Sequence, residues 1–193
     1  MKHSIALTFV VTALGAAPVL GAEIRAEKLN RAQLVAATTA KFSVKDAIAA
    51  AERLSNGGRA VEATYTLQGS PPAATATYEL RAFLNDGVWE GQIAADSGQM
   101  IGAGKTIPKA KFDEEDTEEF NFFQRASTTI SQAVEVAEQH AQGKAIAVGL
   151  EEAGGGVVWN AVVAAGGTTR TISVDPLTGR VKADKRSDSA QVY

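Results

Sequence analysis

The sequence predicts an α+β fold made of two tandem units, each with one helix packed on a three-stranded antiparallel sheet. Three observations lead to this prediction: a helical pattern of apolar residues occurs twice, alternating apolar residues follow each helix, and matching residues are equally spaced in the two copies. Each unit has the order helix, strand, strand, strand, with room for a short tail strand. Short turns make consecutive strands pair antiparallel, and the helix covers one face of the sheet.

The helix of each unit is predicted from its apolar spacing and its first turn. Apolar residues follow the spacing i, i+3, i+4, i+7, which places them on one helix face. They are Val44, Ala47, Ile48 and Ala51 in the first copy and Ile130, Ala133, Val134 and Ala137 in the second. Ser43 with Asp46, and Thr129 with Gln132, stand at capping-box spacing. Both helix starts are therefore predicted by the same local chemistry.

Alternation of apolar residues predicts the strands. Glycines at 57–58 and at 143 are expected to end the helices first. The predicted strands then cover about 61–67, 78–84 and 88–94 in the first unit and 146–150, 159–165 and 168–174 in the second. Tyr78 is as far from Gly98 as Trp159 is from Gly179, which supports a duplication.

The closing segment of the second unit carries a family resemblance. Residues 174–181 read Val-Asp-Pro-Leu-Thr-Gly-Arg-Val, and with the helix and three strands before them they resemble the PepSY domain. The first unit departs from this pattern, because Ala94 stands where the second has Asp175 and Ser-Gly replaces Thr-Gly. The two PepSY-like repeats cover residues 42–102 and 128–183.

The resemblance implies a protein-binding role without catalysis. PepSY segments occur in the pro-regions of thermolysin-type metalloproteases, where inhibition or folding assistance is attributed to them, and in free-standing exported proteins. By this resemblance, the chain is expected to modulate or inhibit a peptidase or another envelope protein.

The N-terminus has the three parts of a secretory signal peptide over residues 1–22. Lys2 supplies the positive start, an apolar run follows, and cleavage is predicted after Ala22, with cleavage after Gly21 as the alternative. The apolar run is shorter than the about 20 residues of a bilayer span. A periplasmic or secreted location without membrane insertion is expected after cleavage, and an uncleaved anchor is the competing interpretation.

The composition excludes disulfide bonds and argues against nucleic acid as a partner. The chain has no cysteine, so an exported protein of this size must be held together by its core alone. A formal net charge of −3 provides no basic surface for nucleic acid. The oligomeric state is left open.

Three segments lie outside the copies. Residues 23–41 form an N-terminal segment in which a short helix is an option, and residues 184–193 form a polar tail expected to fray. Residues 103–127 form an acidic and aromatic linker. Its phenylalanines are expected to dock onto a core or to fill the seam between the copies.

Two motifs in the linker region are weighed as ligand sites. Gly104-Lys105-Thr106 resembles the end of a phosphate-binding loop, but Gln99 stands where the full motif needs glycine, so a plain loop is predicted. The acidic run 113–119 lacks the alternating acids and central glycine of a calcium loop. A solvated linker and a helix N-terminus, where acids favour the dipole, are its other interpretations.

No catalytic, cofactor-binding or metal-binding residue is predicted. His140 is the only histidine after residue 22, zinc would need further ligands, and the nucleophile motif Gly-x-Ser-x-Gly is missing. His140 is therefore predicted to lie late in the helix and partly exposed. Glu52 and Glu138 occupy matching helix positions, which favours a shared structural role, such as a solvated helix face, over a carboxylate pair.

Four large aromatic residues have two interpretations, as core or as a recognition surface. They are Tyr65, Tyr78, Trp89 and Trp159. A binding module would use strand addition at a sheet edge. The alternative function, a periplasmic protein that binds a small ligand or calcium, predicts a concave pocket between the copies lined by aromatic residues and acids.

Overall fold

The computed structural model describes residues 31–68, 74–153 and 156–187. Its helices within those ranges are α1 (Arg31–Thr39), α2 (Val44–Leu54), α3 (Glu114–Phe123) and α4 (Ile130–Ala141). Its strands are β1 (Arg59–Gln68), β2 (Thr75–Phe83), β3 (Gly87–Ala94), β4 (Lys105–Pro108), β5 (Lys144–Ala153), β6 (Gly156–Ala165), β7 (Thr168–Val174) and β8 (Val181–Ser187). A 3-10 helix, Lys109–Lys111, precedes α3.

All of these strands belong to one antiparallel sheet, in the order β4-β3-β2-β1-β5-β6-β7-β8. The predicted α+β class is confirmed, and each half has more than the three predicted strands, since β4 or β8 forms where the sequence left room for a tail strand. The two halves share one sheet, which the sequence left open. The seam between them pairs Ala63 with Val148, flanked by the pairs Glu62–Gly149 and Thr64–Ala147.

The sheet separates two helical layers. Helices α2 and α4 contact each other and pack on the same face, α2 on β1 and β2 and α4 on β5, β6 and β7. Side chains of α3 reach the opposite face, because Phe83 alternates with Ala82 along β2 and its ring centroid lies 5.2 Å from that of Phe120. The predicted docking of the linker phenylalanines onto a core is confirmed.

Helices α2 and α4 begin as predicted. The Asp46 N–H donates to Ser43 Oγ, and the Gln132 N–H donates to Thr129 Oγ1, each at 3.2 Å. All the apolar positions predicted on the two helix faces are buried. Local spacing and capping therefore determine these elements.

The helices end shortly before the predicted glycines, α2 at Leu54 and α4 at Ala141. Asn56 and Gln142, with φ of 57° and 54°, adopt the left-handed conformation before the glycines. Gly57 N–H and Gly143 N–H then donate to the carbonyls five residues earlier, at 3.2 Å in both cases.

The same irregularity occurs in the first strand of each half. The register shifts between Ala60 and Glu62 in β1 and between Ala145 and Ala147 in β5. Residues that hold the same place relative to the helix and to the strand pairing of their half are called equivalent below.

The segments outside the predicted copies contain regular structure. The predicted plain loop at 104–106 is wrong, since Lys105 and Thr106 lie in edge strand β4, paired with β3. The predicted polar tail from residue 184 begins inside β8, which continues to residue 187. The short helix considered for residues 23–41 forms as α1, which buries Leu34 and Ala37.

Some predictions fall outside the described residues. The signal peptide at 1–22, the end of the tail at 188–193 and parts of the loops between the first two strands of each half lie there. Within the described ranges, no helix combines the length and the hydropathy needed to cross a bilayer.

Candidate functional site

Two buried aromatic side chains anchor the starts of α2 and α4. The Tyr78 hydroxyl donates to the carbonyl oxygen of Phe42 at 2.8 Å, and Trp159 Nε1–H donates to that of Thr128 at 3.0 Å. Phe42 and Thr128 each precede the N-cap residue of a helix. These two bonds are equivalent and connect the sheet to the helix start.

The four aromatic residues weighed in the sequence belong to the core. Tyr65, Tyr78, Trp89 and Trp159 are at most 6% exposed. Their interpretation as a recognition surface is therefore wrong, although Trp89 also borders a cavity described below.

Glu52 and Glu138 share a structural role beyond a solvated face. Glu52 Oε1 accepts from the Ala60 N–H at 3.4 Å, and Glu138 Oε1 accepts from the Ala145 N–H at 3.0 Å. Each carboxylate thus joins the end of its helix to the strand that follows. Glu138 also binds Lys45 Nζ of α2 at 3.0 Å, which links the two helices.

The turn after β7 explains the Asp-Pro-Leu-Thr-Gly sequence. Asp175 Oδ1 accepts from the Leu177 N–H at 2.8 Å and from the Thr178 N–H at 3.0 Å. These backbone hydrogen bonds, the Leu177 bond above all, hold the pKa of Asp175 below its usual value. Ala94 is equivalent to Asp175 and has no carboxylate for this purpose.

Three charged side chains close the second half at the end of α4. Arg170 of β7 forms an ion pair with Asp184 of β8, and its Nη1–H donates to the carbonyl oxygen of Ala141 at 3.3 Å. His140 Nε2 lies 3.2 Å from Asp184 Oδ2. The hydrogen bond from Arg170 is the main reason that the pKa of Asp184 is lowered. We name Arg170, Asp184 and His140 the clasp, because they tie β8 to α4.

His140 is partly exposed in the last turn of α4, as predicted. Within the described residues, no three His, Cys, Asp or Glu side chains are arranged to hold a metal ion. The position of His140 in the clasp was not apparent from the sequence, since Asp184 was assigned to a fraying tail.

A cavity of about 670 Å³ lies at the equivalent end of the first half, and we name it the α2-end cavity. Leu54, Trp89 and Gly104 line it. Their equivalents in the second half are His140, Arg170 and Asp184, the three residues of the clasp. The α2-end cavity is thus lined by the first copy and by the segment 103–127, and it does not test the pocket expected between the two copies.

The α2-end cavity is built around the ring of Trp89. A Cβ at Gly91 would lie 2.5 Å from this ring, and a Cβ at Gly104 would lie 2.4 Å from it. Both positions therefore require glycine while Trp89 is present. The wall also carries Asp86 and Arg59, whose guanidinium carbon lies 4.4 Å from the ring centroid of Phe123.

A group of carboxylates surrounds Arg81 on the other face of the sheet. Arg81 lies within 3.5–3.9 Å of Asp116 and Glu119 of α3 and of Glu62 and Glu90 of the sheet. Its side chain is 11% exposed, and its Nε forms no hydrogen bond among the described residues. Burial raises the pKa of Glu62 although the Arg81 charge opposes this rise.

The acidic run forms the start of α3. Asp113 is the N-cap residue and accepts from the Asp116 N–H at 2.8 Å. The helix N-terminus interpretation of this run is confirmed, and its carboxylates serve to dock α3 on the sheet. The Arg81 contacts could not be predicted, because they join strands to a helix far away in sequence.

The two outer strands of the sheet differ in length and charge. β4 has four residues and ends in Pro108, which cannot donate a backbone hydrogen bond. β8 has seven residues and carries Lys182, Lys185 and Arg186. Of the two edges, β8 offers the longer row of backbone groups.

Comparison with known proteins supports the predicted resemblance for the second half. Residues 129–185 match the family model described as the peptidase propeptide and YPEB domain, PepSY. The matched range, called the PepSY domain below, comprises α4, β5 to β7 and most of β8. Domains of this family are propeptide-like and generally non-catalytic, which fits an envelope or secreted protein.

No curated protein matches the chain. Among solved structures, the chain is similar to that of a candidate lipoprotein from Clostridium difficile 630, with 14% sequence identity and a TM-score of 0.41. The alignment covers 76% of this chain and 94% of the other.

Proposed function

We propose that this chain is an exported, non-enzymatic module that binds an extended segment of an envelope protein, a peptidase in the first instance. The observation that carries the proposal is the outer edge of β8. This strand ends the sheet on the side of the PepSY domain and is the longer of the two edges. A partner strand adds to such an edge through its backbone hydrogen bonds.

The clasp supports this use of β8. A strand that receives a partner must keep its own position, and Arg170 and His140 hold Asp184 of β8 against α4. These contacts are made by side chains on the face of the sheet that α4 covers, so they do not use the outer backbone groups of β8, which pair with no other strand among the described residues.

The charged side chains of β8 determine which kind of partner segment it is expected to bind. Lys182 is paired with Asp175 at 3.6 Å, whereas Lys185 and Arg186 have no ion pair within the described residues. Lysine and arginine on an edge strand discourage indiscriminate pairing. Antiparallel pairing of two β8 strands around Asp184 would place Lys182 opposite Arg186, and like charges so placed are unfavourable. We therefore favour an acidic partner segment over a second copy.

The first half is, in this proposal, a diverged second PepSY-like copy. It shares with the PepSY domain the capping box and the hydrogen bond from a buried aromatic side chain to the carbonyl before the N-cap. It also shares the register shift in its first strand and a positive φ at the glycine of the turn after its third strand, Gly98. Export relies on the signal peptide predicted at residues 1–22.

The test measures binding and inhibition with the chain from residue 23 onward. Thermolysin-type peptidases are assayed with and without the protein, and acidic peptides of extended conformation are titrated by calorimetry. The double variant Lys185→Glu, Arg186→Glu should weaken binding about tenfold or more. Lys105→Glu with Lys111→Glu makes the same charge change beside β4 and should leave binding unchanged.

Two results would overturn the proposal. One is full peptidase activity at saturating protein together with no binding of acidic peptides. The other is an equal loss of binding in both double variants, which would indicate a net-charge effect instead of an edge-specific contact.

A second candidate function is the binding of a small ligand, which the α2-end cavity favours. Calcium binding by the acidic run 113–119 has less support, because Asp113 caps α3 and Asp116 contacts Arg81. A thermal shift upon calcium addition tests that part, and no shift would contradict it.

A further inference from the structure

We propose that the α2-end cavity binds an organic cation, a guanidinium or ammonium group at the end of an apolar chain. The proposal does not depend on the function assigned to β8, since the cavity lies in the other half of the sheet. It is argued from what the second half places in the equivalent space.

The second half fills that space with a guanidinium of its own. Arg170 extends from β7 toward the end of α4 and donates to the carbonyl oxygen of Ala141 at 3.3 Å. Asp184 supplies the opposing negative charge. The fold thus already shows how a cation is held at this end of a helix.

The first half lacks such a cation in the equivalent place. Trp89 replaces Arg170, Gly104 replaces Asp184, and the space between them and the end of α2 remains open. Ser55, equivalent to Ala141, lines this opening. The volume of about 670 Å³ falls in the range of small-molecule sites, about 300–1,000 Å³.

The walls favour a positive group. The C-terminal end of a helix carries a partial negative charge, and residues 54–57 at the end of α2 face the cavity. Asp86 adds a carboxylate that has no ion pair among the described residues. Arg59 adds a positive charge to the same wall, but its guanidinium lies over the ring of Phe123, which shows that an aromatic face at this site accepts such a group.

Tryptophan fluorescence provides a direct measurement. Trp89 and Trp159 are the two tryptophans of the chain, and Trp159 is fully buried away from solvent. Because Trp159 also contacts Phe123 of the cavity wall, a change upon ligand addition is assigned to Trp89 only where it is lost in Trp89→Phe. N-acetyl-arginine amide is the probe, and N-acetyl-citrulline amide, of nearly the same shape without the charge, is its control. We expect saturable binding of the arginine compound and at least tenfold weaker binding of the citrulline compound.

Two variants locate the site. Trp89→Arg combined with Gly104→Asp installs the residues of the clasp, and removal of the Trp89 ring makes room for the aspartate. Calorimetry should then detect no binding. Asp86→Asn, in an exposed turn, should weaken binding about tenfold with the fold unchanged, whereas Asp96→Asn, an exposed acid outside the cavity, should not.

The source of the cation is distinguished by two further titrations. Tighter binding of agmatine than of an extended arginine-containing peptide would indicate a free small molecule, and the reverse order would indicate a side chain of a protein partner. Equal binding of the citrulline compound, or unchanged binding in both Asp86→Asn and the double variant, would overturn the proposal. Absence of saturable binding by all probes would overturn it as well.

Discussion

The ends of α2 and α4 occupy the same place in their halves, yet one borders a cavity and the other is closed. At α4, Arg170 and Asp184 fill the space between the helix end and the outer strands. At α2, Trp89 and Gly104 stand at those positions and leave the space open. Side chains at a few positions thus decide whether this fold contains a cavity, while the backbone arrangement stays the same.

The opposite ends of the two helices are much more alike. Each has a capping box, and each has a buried aromatic residue, Tyr78 or Trp159, bonded to the carbonyl before the N-cap. The contacts that hold helix to sheet are therefore shared, and the variation is concentrated at the other end. The predictions below test that division.

The largest effect is expected for Trp159→Ala. Removal of a fully buried tryptophan typically costs about 3–5 kcal/mol, and the carbonyl of Thr128 loses its partner as well. Trp89→Ala should cost less, because that ring borders a cavity that is already open. Urea unfolding of both variants measures the difference, and equal losses would contradict the assignment of an open cavity beside Trp89.

Alanine at the glycine of the turn after the third strand should destabilise the two halves to different extents. Gly98 and Gly179 have φ of 66° and 69°, where alanine costs about 1–2 kcal/mol. A Cβ at Gly98 would also lie 2.3 Å from the ring of Phe42, whereas at Gly179 the nearest atom, in Thr128, is 3.4 Å away. Gly98→Ala should therefore be more destabilising by about 1–3 kcal/mol. Similar melting temperatures for the two variants would show that the ring moves aside freely.

Two tyrosines of the first half test the hydrogen bond between a buried aromatic residue and the helix start, because only one of them forms it. Tyr78→Phe removes the bond to Phe42 and should cost about 1 kcal/mol. The buried hydroxyl of Tyr65 has no hydrogen-bond partner in the described structure, so Tyr65→Phe should be neutral or stabilising. Chemical denaturation distinguishes them, and a larger loss for Tyr65→Phe would refute the assigned roles.

The smallest effect concerns pH and the carboxylates around Arg81. Burial raises the pKa of Glu62 above its ordinary value of 4.5, so the folded state takes up this proton at a higher pH than the unfolded chain. The contribution of Glu62 to stability therefore rises as the pH falls through the raised pKa and levels off below 4.5. In Glu62→Gln this rise should be missing from the melting temperature between pH 7 and pH 4.5.

The lowered pKa of Asp175 in the second half gives stability the opposite dependence on pH. Its stabilising effect is present at neutral pH and is lost as the pH falls below its ordinary value of 3.8. Asp175→Asn should leave the stability profile unchanged in shape above pH 5 and flatten it below pH 3.8. A flattening near neutral pH would contradict the assignment.

The features that could be predicted are those determined by residues close together in the sequence. The faces of α2 and α4 follow from residue spacing, and their starts follow from Ser43 and Thr129 with their capping partners. Strands β3 and β7 follow from alternation and from the turns that bound them. In each case the information lies within about ten residues.

The remaining features depend on contacts between distant residues. β4 and β8 are edge strands without a long apolar alternation, so the sequence allowed a tail strand in each half but gave no bounds for it. The joint sheet rests on pairs such as Ala63 with Val148, which carry no recognisable motif. The α2-end cavity depends on the fit of Trp89 against Gly91 and Gly104, which only the assembled sheet brings together.

The short seam between β1 and β5 has a consequence for the order of folding. Its three residue pairs join the positions most widely separated in sequence of any paired strands in the sheet. Every other strand pair connects consecutive strands and can form from a short loop. Loop-closure entropy and contact order therefore delay the seam until both halves are largely assembled. At high concentration the same three pairs could be completed by a half from another chain, and the seam is thus the place where we expect two molecules to exchange halves.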